Sequence, residues 1–326
     1  MVGSLNVDHT VRVERLPAAG ATILATGYDR SPGGKGLNQA VAAARQEAAV
    51  DMVGAVGDDA AGDQLAGVLA EEGIGTAGLV KRSGASGTAL ITVAADGANT
   101  IVVAAGTNRE VDPGDVSAAE FAGAAVVLCQ LEIPMPAVRA ALAAGRAAGA
   151  VTVLNPAPAP AALLGDLLGL VDVVVPNETE AAALVELLGE TGSSGSGGSS
   201  GSGDSGDPGP TDDEGIRAAA RRAGAALVEA GAGTAVVTLG RLGATVVPGD
   251  GSAPWDVAPY AVEAVDSTAA GDAFIGALVA ALAEGRPLAE AARRGAAAGA
   301  VAACRPGAVP SLPTRDEVDA LLSEQG

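Results

Sequence analysis

From residue 51 onward, short apolar runs alternate with segments in which apolar residues recur every three to four positions. Brief apolar runs bounded by turn formers read as buried strands, and the recurrence near 3.6 reads as helix. Strands are therefore expected over residues 51–56, 124–128, 151–154, 171–175 and 234–239, and helices over 60–72, 136–148, 179–188 and 216–230. The same recurrence runs through Phe274, Ile275, Leu278, Val279 and Leu282. Strands that are apolar throughout, each followed by a helix, define an α/β fold: a mainly parallel central sheet with helices on both faces. Ligands of such sheets bind beyond the carboxyl ends of the strands. Glu132, Asn155, Asn177 and Gly240 all fall there.

Two stretches break the rhythm. Residues 11–28 and 87–105 alternate like exposed strands, and Asp96-Gly97 between them marks a hairpin turn. Residues 192–215 are almost purely Gly, Ser, Asp and Pro, too poor in apolar surface to offset their ordering entropy, so a disordered loop is expected. Gly73-Ile74-Gly75-Thr76-Ala77-Gly78 matches a dinucleotide fingerprint, but it follows a helix and precedes a strand, the reverse of the required context. It reads as a helix stop.

Composition narrows the functional class. Apolar residues make up 48% of the 326 and aromatics only 2%, so alanine, valine and leucine must fill the core. A formal net charge of −20 leaves no basic stripe to neutralise a nucleic-acid backbone. No uninterrupted apolar run approaches the length of about 20 residues needed to cross a membrane. Cys129 and Cys304 have no metal-site spacing and suit a reducing compartment, so a cytoplasmic enzyme is the expectation.

Asp272 is the strongest chemical candidate. It stands in Asp266-Ser267-Thr268-Ala269-Ala270-Gly271-Asp272-Ala273-Phe274, at the opening of a predicted helix. The free N–H groups and positive dipole end of a helix start favour an anion, and glycine lets it come close. A carboxylate there either caps the helix or takes a proton from a hydroxyl attacking a phosphate. A second glycine-rich run, Gly33-Gly34-Lys35-Gly36-Leu37-Asn38-Gln39-Ala40, also leads into a helix. It is not a Walker A loop, since glycine rather than Ser or Thr follows Lys35. Lys35 and Asn38 offer donors suited to hydroxyls. Asn6 and Asp8, spaced by two after a short first strand, point the same way and suit either a turn or a pair of neighbouring hydroxyls. Asn177 and Glu180 suit a helix start as well as a ligand site.

With Gly3-Ser4-Leu5-Asn6-Val7-Asp8, Gln130-Leu131-Glu132, Asn155-Pro156-Ala157-Pro158-Ala159, Pro176-Asn177-Glu178-Thr179-Glu180 and Thr238-Leu239-Gly240 in this order, the chain resembles the ribokinase branch of the PfkB carbohydrate kinase family. The likeness covers residues 2 to about 319. It implies a single ribokinase-like domain over 1–326, with a small β lid from about 10–30 and 87–106 and an insertion at 191–215. It also implies ATP-dependent phosphorylation of D-ribose at the 5-hydroxyl. A sibling kinase for another furanose or a nucleoside is the nearest alternative, and a non-catalytic sugar-binding regulator a more distant one.

By the same resemblance, Asp272 is the general base and the backbone of Ala270, Gly271 and Asp272 the anion hole. Asn6, Asp8, Gly33, Gly34, Lys35 and Asn38 bind the sugar, and Glu132 reads its anomeric end. ATP would lie against Asn177, Thr238, Leu239, Gly240, Arg241, Leu242, Gly243 and Gly271, with Mg²⁺ held through water by Glu180. An activating K⁺ would sit among Asp266, Thr268, Ala302, Arg305, Gly307 and Ser311, and two chains would pair through the lid. Two departures stand out: only Met1 and Val2 precede Gly3 where relatives have several apolar residues, so either the first strand is truncated or the native chain starts upstream of Met1, and Ala296 replaces a polar residue common near adenine.

Overall fold

The computed structural model describes residues 1–118, 121–160, 165–192 and 212–325, and in it the chain builds two sheets of different character. The first elements are β1 (Asn6–Val13), β2 (Gly27–Gly33), α1 (Lys35–Arg45), β3 (Asp51–Gly57), α2 (Ala60–Glu71), β4 (Gly75–Arg82), β5 (Gly87–Ala94) and β6 (Asn99–Ala104). There follow α3 (Pro113–Ala118), β7 (Val126–Cys129), α4 (Met135–Ala147), β8 (Val151–Leu154), β9 (Val173–Val174), α5 (Glu178–Gly192) and α6 (Asp213–Glu229). The chain ends with β10 (Thr234–Thr238), β11 (Ala244–Pro248), β12 (Trp255–Val257), α7 (Ala270–Ala283), α8 (Leu288–Ala303) and α9 (Arg315–Gln325).

The central sheet runs β12-β11-β10-β9-β8-β7, parallel from β7 to β10 and antiparallel at the β11–β12 edge. Beyond β7 the parallel pair β3–β4 continues it, and one residue makes the join. Val2 bridges Cys129 on one side and Val53 on the other. Its amide donates to the Leu128 carbonyl at 2.9 Å, and the Val53 amide donates to the Met1 carbonyl at 2.8 Å. Next to Met1 and Val2 the slot opens into a cavity of about 370 Å³ bordered by Val50, Asp51, Ala125 and Val126.

The second sheet has the order β2-β1-β5-β6, with β1 and β5 parallel and the outer pairs antiparallel. Here the structure differs from the sequence reading. Asn6 and Asp8 lie inside β1, not after the first central strand, because the polar–apolar alternation of a half-exposed strand begins at Asn6 rather than at residue 11. Leu90, Ile101 and Val102 stay 53–64% exposed, an apolar surface left open on this sheet. Gly97, at φ 89°, supplies the left-handed turn between β5 and β6 that Asp96-Gly97 announces.

Small residues set how closely the layers approach. A Cβ on Gly276 of α7 would fall 2.3 Å from the Ala42 Cβ of α1, so the two helices cross almost in backbone contact. Both helices thereby start at the same end of the sheet. Most of the 191–215 stretch lies outside the described residues; α5 and α6, which flank it, pack against each other. No helix among the described residues is long and apolar enough to cross a membrane.

Candidate active site

Ala269, just ahead of α7, adopts φ 58°, a left-handed conformation that a non-glycine residue rarely takes and that here turns the chain sharply into the helix. The Ala270 amide donates back to the Ser267 carbonyl at 3.1 Å. Of the three N–H groups expected to form an anion hole, only those of Gly271 and Asp272 are then left without an acceptor, as first-turn amides. A Cβ on Gly271 would meet nothing within 4 Å, so the space before these amides is open.

Asp272 itself is buried, at 9% exposure. Its Oδ2 accepts from Asn38 Nδ2 at 2.9 Å and its Oδ1 from Gln39 Nε2 at 2.8 Å, joining the two glycine-rich signatures across the molecule. Asn38 Oδ1 is buried without a partner, an acceptor waiting for a donor such as a hydroxyl.

Asn6 and Asp8 sit on one face of β1, and glycines on the flanking strands clear room for them. A Cβ on Gly33 would lie 2.1 Å from an Asp8 carboxylate oxygen, and one on Gly87 would lie 2.0 Å from Asn6 Oδ1. Asn108 Nδ2 donates to Asn6 Oδ1 at 2.8 Å, which leaves the Asn6 amide N–H groups as the free end. Asn108 also holds the Leu5 backbone through both its polar atoms at 3.0 Å. Ser4 Oγ and the Lys35 amide, the latter at 3.1 Å, both donate to Glu132 Oε2. Gly34, at φ 90°, lets the chain turn within a hypothetical Cβ distance of 2.8 Å from the Asn6 nitrogen. Sequence reasoning missed Asn108, Ser4 and Gln39; only the last two lay inside quoted motifs.

The charges respond to this crowding. Burial, reinforced by Glu132 and Asp272, pushes the Asp8 carboxyl up to about 7. Burial alone would lower Lys35, but facing Asp272, Glu132 and Glu180 it is raised and keeps its charge. Burial raises Glu180, against the opposing pull of its bond to the Asn177 amide and of Lys35.

Asn177 and Glu180 form a reciprocal capping pair at the start of α5: the Asn177 amide donates to Glu180 Oε2 at 2.9 Å, and the Glu180 amide to Asn177 Oδ1 at 2.8 Å. Glu180 Oε1 takes no part in it. Asn177 bridges Thr238 at the end of β10, so the two motifs expected to meet ATP are adjacent. Gly240 (φ 52°) and Gly243 (φ 81°) shape the turn after β10, whereas the Leu239 and Leu242 side chains are buried in a small core cluster. Arg241 is exposed and paired with Asp213 at 2.6 Å.

Around the expected cation loops, Asp266 Oδ1 accepts from the Thr268 amide and hydroxyl, and Oδ2 from the Gly307 amide at 2.9 Å. Asp266 therefore ties the two loops together. The Arg305 side chain turns away to Glu317, the Ser311 hydroxyl donates to the Ala308 carbonyl at 2.8 Å, and Ala302 is buried in α8. A cation here would meet mainly backbone carbonyls.

A parallel sheet carrying a buried carboxylate at a helix mouth, covered by a small β sheet with polar side chains, defines a sugar-kinase architecture. The pfkB family carbohydrate kinase profile matches residues 1–315. The chain is 36% identical over 322 residues to the ribokinase of Haemophilus influenzae, covering 97% of this chain and 95% of that one. It is 34% identical over 280 residues to the deoxyribokinase of Salmonella typhi, covering 85% and 82%. The structure of Arabidopsis thaliana ribokinase complexed with ribose and ATP superposes with a TM-score of 0.82 at 30% identity, covering 98% of this chain and 97% of that chain. The protein belongs to the PfkB family of carbohydrate kinases, within its ribokinase-type branch. Such a kinase transfers a phosphoryl group to a sugar hydroxyl.

Proposed function

We propose that this protein phosphorylates D-ribose at its 5-hydroxyl with ATP as donor. The observation that carries the reading is the convergence of Asp272, the unpartnered Asn38 Oδ1 and the Asn6–Asp8 face at one end of the sheet. The ribose- and ATP-bound relative supports the choice of sugar and nucleotide. In this reading Asp8, Asn6 and Asn38 hold the ring hydroxyls and Glu132, anchored through Oε2, offers Oε1 to the anomeric end. Gly33 and Gly34 let the sugar lie against the backbone. As the 5-hydroxyl oxygen attacks the γ-phosphorus, its proton passes to Asp272 Oδ2. The bond to the β–γ bridging oxygen breaks, and the Gly271 and Asp272 N–H groups with Lys35 stabilise charge on the moving group.

The residues fit Mg²⁺ bound on the nucleotide rather than in a protein cage: no cluster of three metal-ligating side chains occurs among the described residues, and Glu180 offers one oxygen to a coordinated water. When bound, the ion neutralises phosphate charge. Asn177, Thr238, Gly240 and Gly243 line the nucleotide side. K⁺ is assigned to carbonyls of the Asp266–Thr268 and Ala302–Ser311 loops, and equal rates in K⁺ and Na⁺ salts at fixed ionic strength would remove that assignment. The open Leu90, Ile101 and Val102 surface supports pairing of two chains through the second sheet, to be checked by light scattering.

A coupled ADP-release assay across pentoses, hexoses and nucleosides tests the whole reading, with ribose expected to give the highest kcat/KM. The deoxyribokinase relative makes 2-deoxyribose the sharpest competitor, and preference for it or for a nucleoside would overturn the substrate. No turnover with any sugar would leave a non-catalytic binder.

Asp8 adds a pH dependence. Ionised, both its oxygens accept from hydroxyls, whereas protonation turns one of them into a donor, and in the free protein it takes up a proton below about pH 7. The kcat/KM for ribose is expected to fall about tenfold per pH unit well below that value, and Asp8→Asn to remove this limb. The linkage to folding has the opposite sense: a raised carboxyl pKa favours the protonated folded state, so this contribution weakens as pH rises towards 7. An unchanged acid limb in Asp8→Asn would exclude Asp8 as its source.

A further inference from the structure

Three amide side chains that the reaction as described does not use converge behind Asp272. Gln39, Gln130 and Asn155 are each at most 5% exposed and form one chain of amides. Gln130 Nε2 donates to Gln39 Oε1 at 2.6 Å; Gln39 Nε2 donates both to Asn155 Oδ1 at 3.0 Å and to Asp272 Oδ1 at 2.8 Å. Asn155 Nδ2 donates to the Val175 carbonyl at 2.9 Å.

We propose that Gln39 is a positioning residue for the phosphoryl transfer, held in one amide orientation so that Asp272 Oδ1 always receives a hydrogen bond, while Oδ2, held only by the Asn38 amide, which can turn without losing a partner, is the oxygen that takes the substrate's proton. The polarity is set from the far end. A backbone carbonyl can only accept, so the Val175 oxygen requires the NH₂ side of Asn155. That turns Asn155 Oδ1 towards Gln39, which must then offer its own NH₂ side. Flipping Gln39 would set its carbonyl against two acceptors, Asn155 Oδ1 and Asp272 Oδ1, at about 1–3 kcal/mol for each buried polar atom left unpaired, while Gln130, whose own Oε1 has no partner, could turn to follow it and adds nothing to the lock. Asp272 therefore faces a donor it cannot displace. A neutral amide has no proton to exchange at physiological pH, so the relay fixes and stabilises the carboxylate without draining it.

This inference rests on Asp272 being the base, and the test separates the two claims. Gln39→Met keeps side-chain length and removes the donor; Gln39→Glu keeps shape and sets a second carboxylate against the first. Both are compared with the intact enzyme for kcat, ribose KM and melting temperature. Gln39→Met is expected to lower kcat about tenfold or more and to change ribose KM less than about threefold. Gln39→Glu is expected to lower kcat at least as far, again with little change in ribose KM. An unchanged kcat in whichever variant folds, or a loss confined to KM, overturns the positioning role. Near-intact turnover in Asp272→Asn would instead overturn the base assignment on which it stands.

Discussion

Replacing Asp272 by asparagine is expected to lower turnover by about 10²–10⁴-fold while sugar and nucleotide still bind. The substitution removes the base at little cost to geometry. Both carboxylate oxygens now accept from amide donors, Oδ2 from Asn38 and Oδ1 from Gln39. The new side chain has one oxygen and one NH₂ group. Gln39 is locked as a donor, so the oxygen takes its side and the NH₂ faces Asn38. Asn38 can flip to meet it, because its own Oδ1 has no partner within the protein, and a sugar hydroxyl can accept from the amide then presented to it. The pocket is kept and the proton acceptor is gone, which penalises the transition state more than the ground state. Steady-state kcat and calorimetric titration of ribose would check this; retention of more than about a tenth of kcat would remove Asp272 from its role.

Gly36→Ala is expected to lower kcat/KM about 100-fold and to cost about 1–3 kcal/mol of stability through overpacking. The Cβ of an alanine would fall 2.5 Å from both the Ser4 nitrogen and its carbonyl oxygen and 2.7 Å from the Gly3 carbonyl carbon. These are backbone atoms of the segment between the two sheets, so neither side can yield by changing a rotamer. The start of α1 must move by about 1 Å to reach ordinary contact. Asn38 and Gln39 move with it, away from Asp272, while the Gly36 amide loses its 3.3 Å bond to Ser4 Oγ. Gly67→Ala is the control, since a Cβ there meets nothing within 4 Å. If both variants kept the melting temperature and kcat/KM of the intact protein, the steric account of this glycine would fail.

Where burial alone decides an element, the sequence was enough to find it. Residues 151–154 form the strand they announce: Val151, Val153 and Leu154 are apolar, and Thr152, the one polar member, is buried with its hydroxyl donating to the Leu170 carbonyl at 2.7 Å. The start of β1 was harder. Asn6 and Asp8 look like turn residues, and they become strand residues because β2 and β5 pair with them on either side, which is long-range information. The candidate site divides in the same way. Asp272, Asn38 and the glycines could be read locally, because helix starts and tight turns restrict residue type. Gln39 could not, since its partner is 233 residues away and a buried glutamine in an alanine-rich helix carries no local signature. Nor could the bond that turns the Ala270 amide back to the Ser267 carbonyl, beside the left-handed turn at Ala269.

Trp255 is the only tryptophan of the chain and sits half-buried in β12, at the outer edge of the central sheet against the cluster that includes Phe274. Intrinsic emission excited at the red edge of the absorption band therefore comes from one place. The β2-β1-β5-β6 sheet, with Tyr28 as its only aromatic ring apart from His9, is optically silent at that wavelength. A fluorescence melt follows the β12 edge and not the strands that carry Asn6 and Asp8, so a tryptophan added at an exposed position such as Leu90 is what would make that second sheet visible.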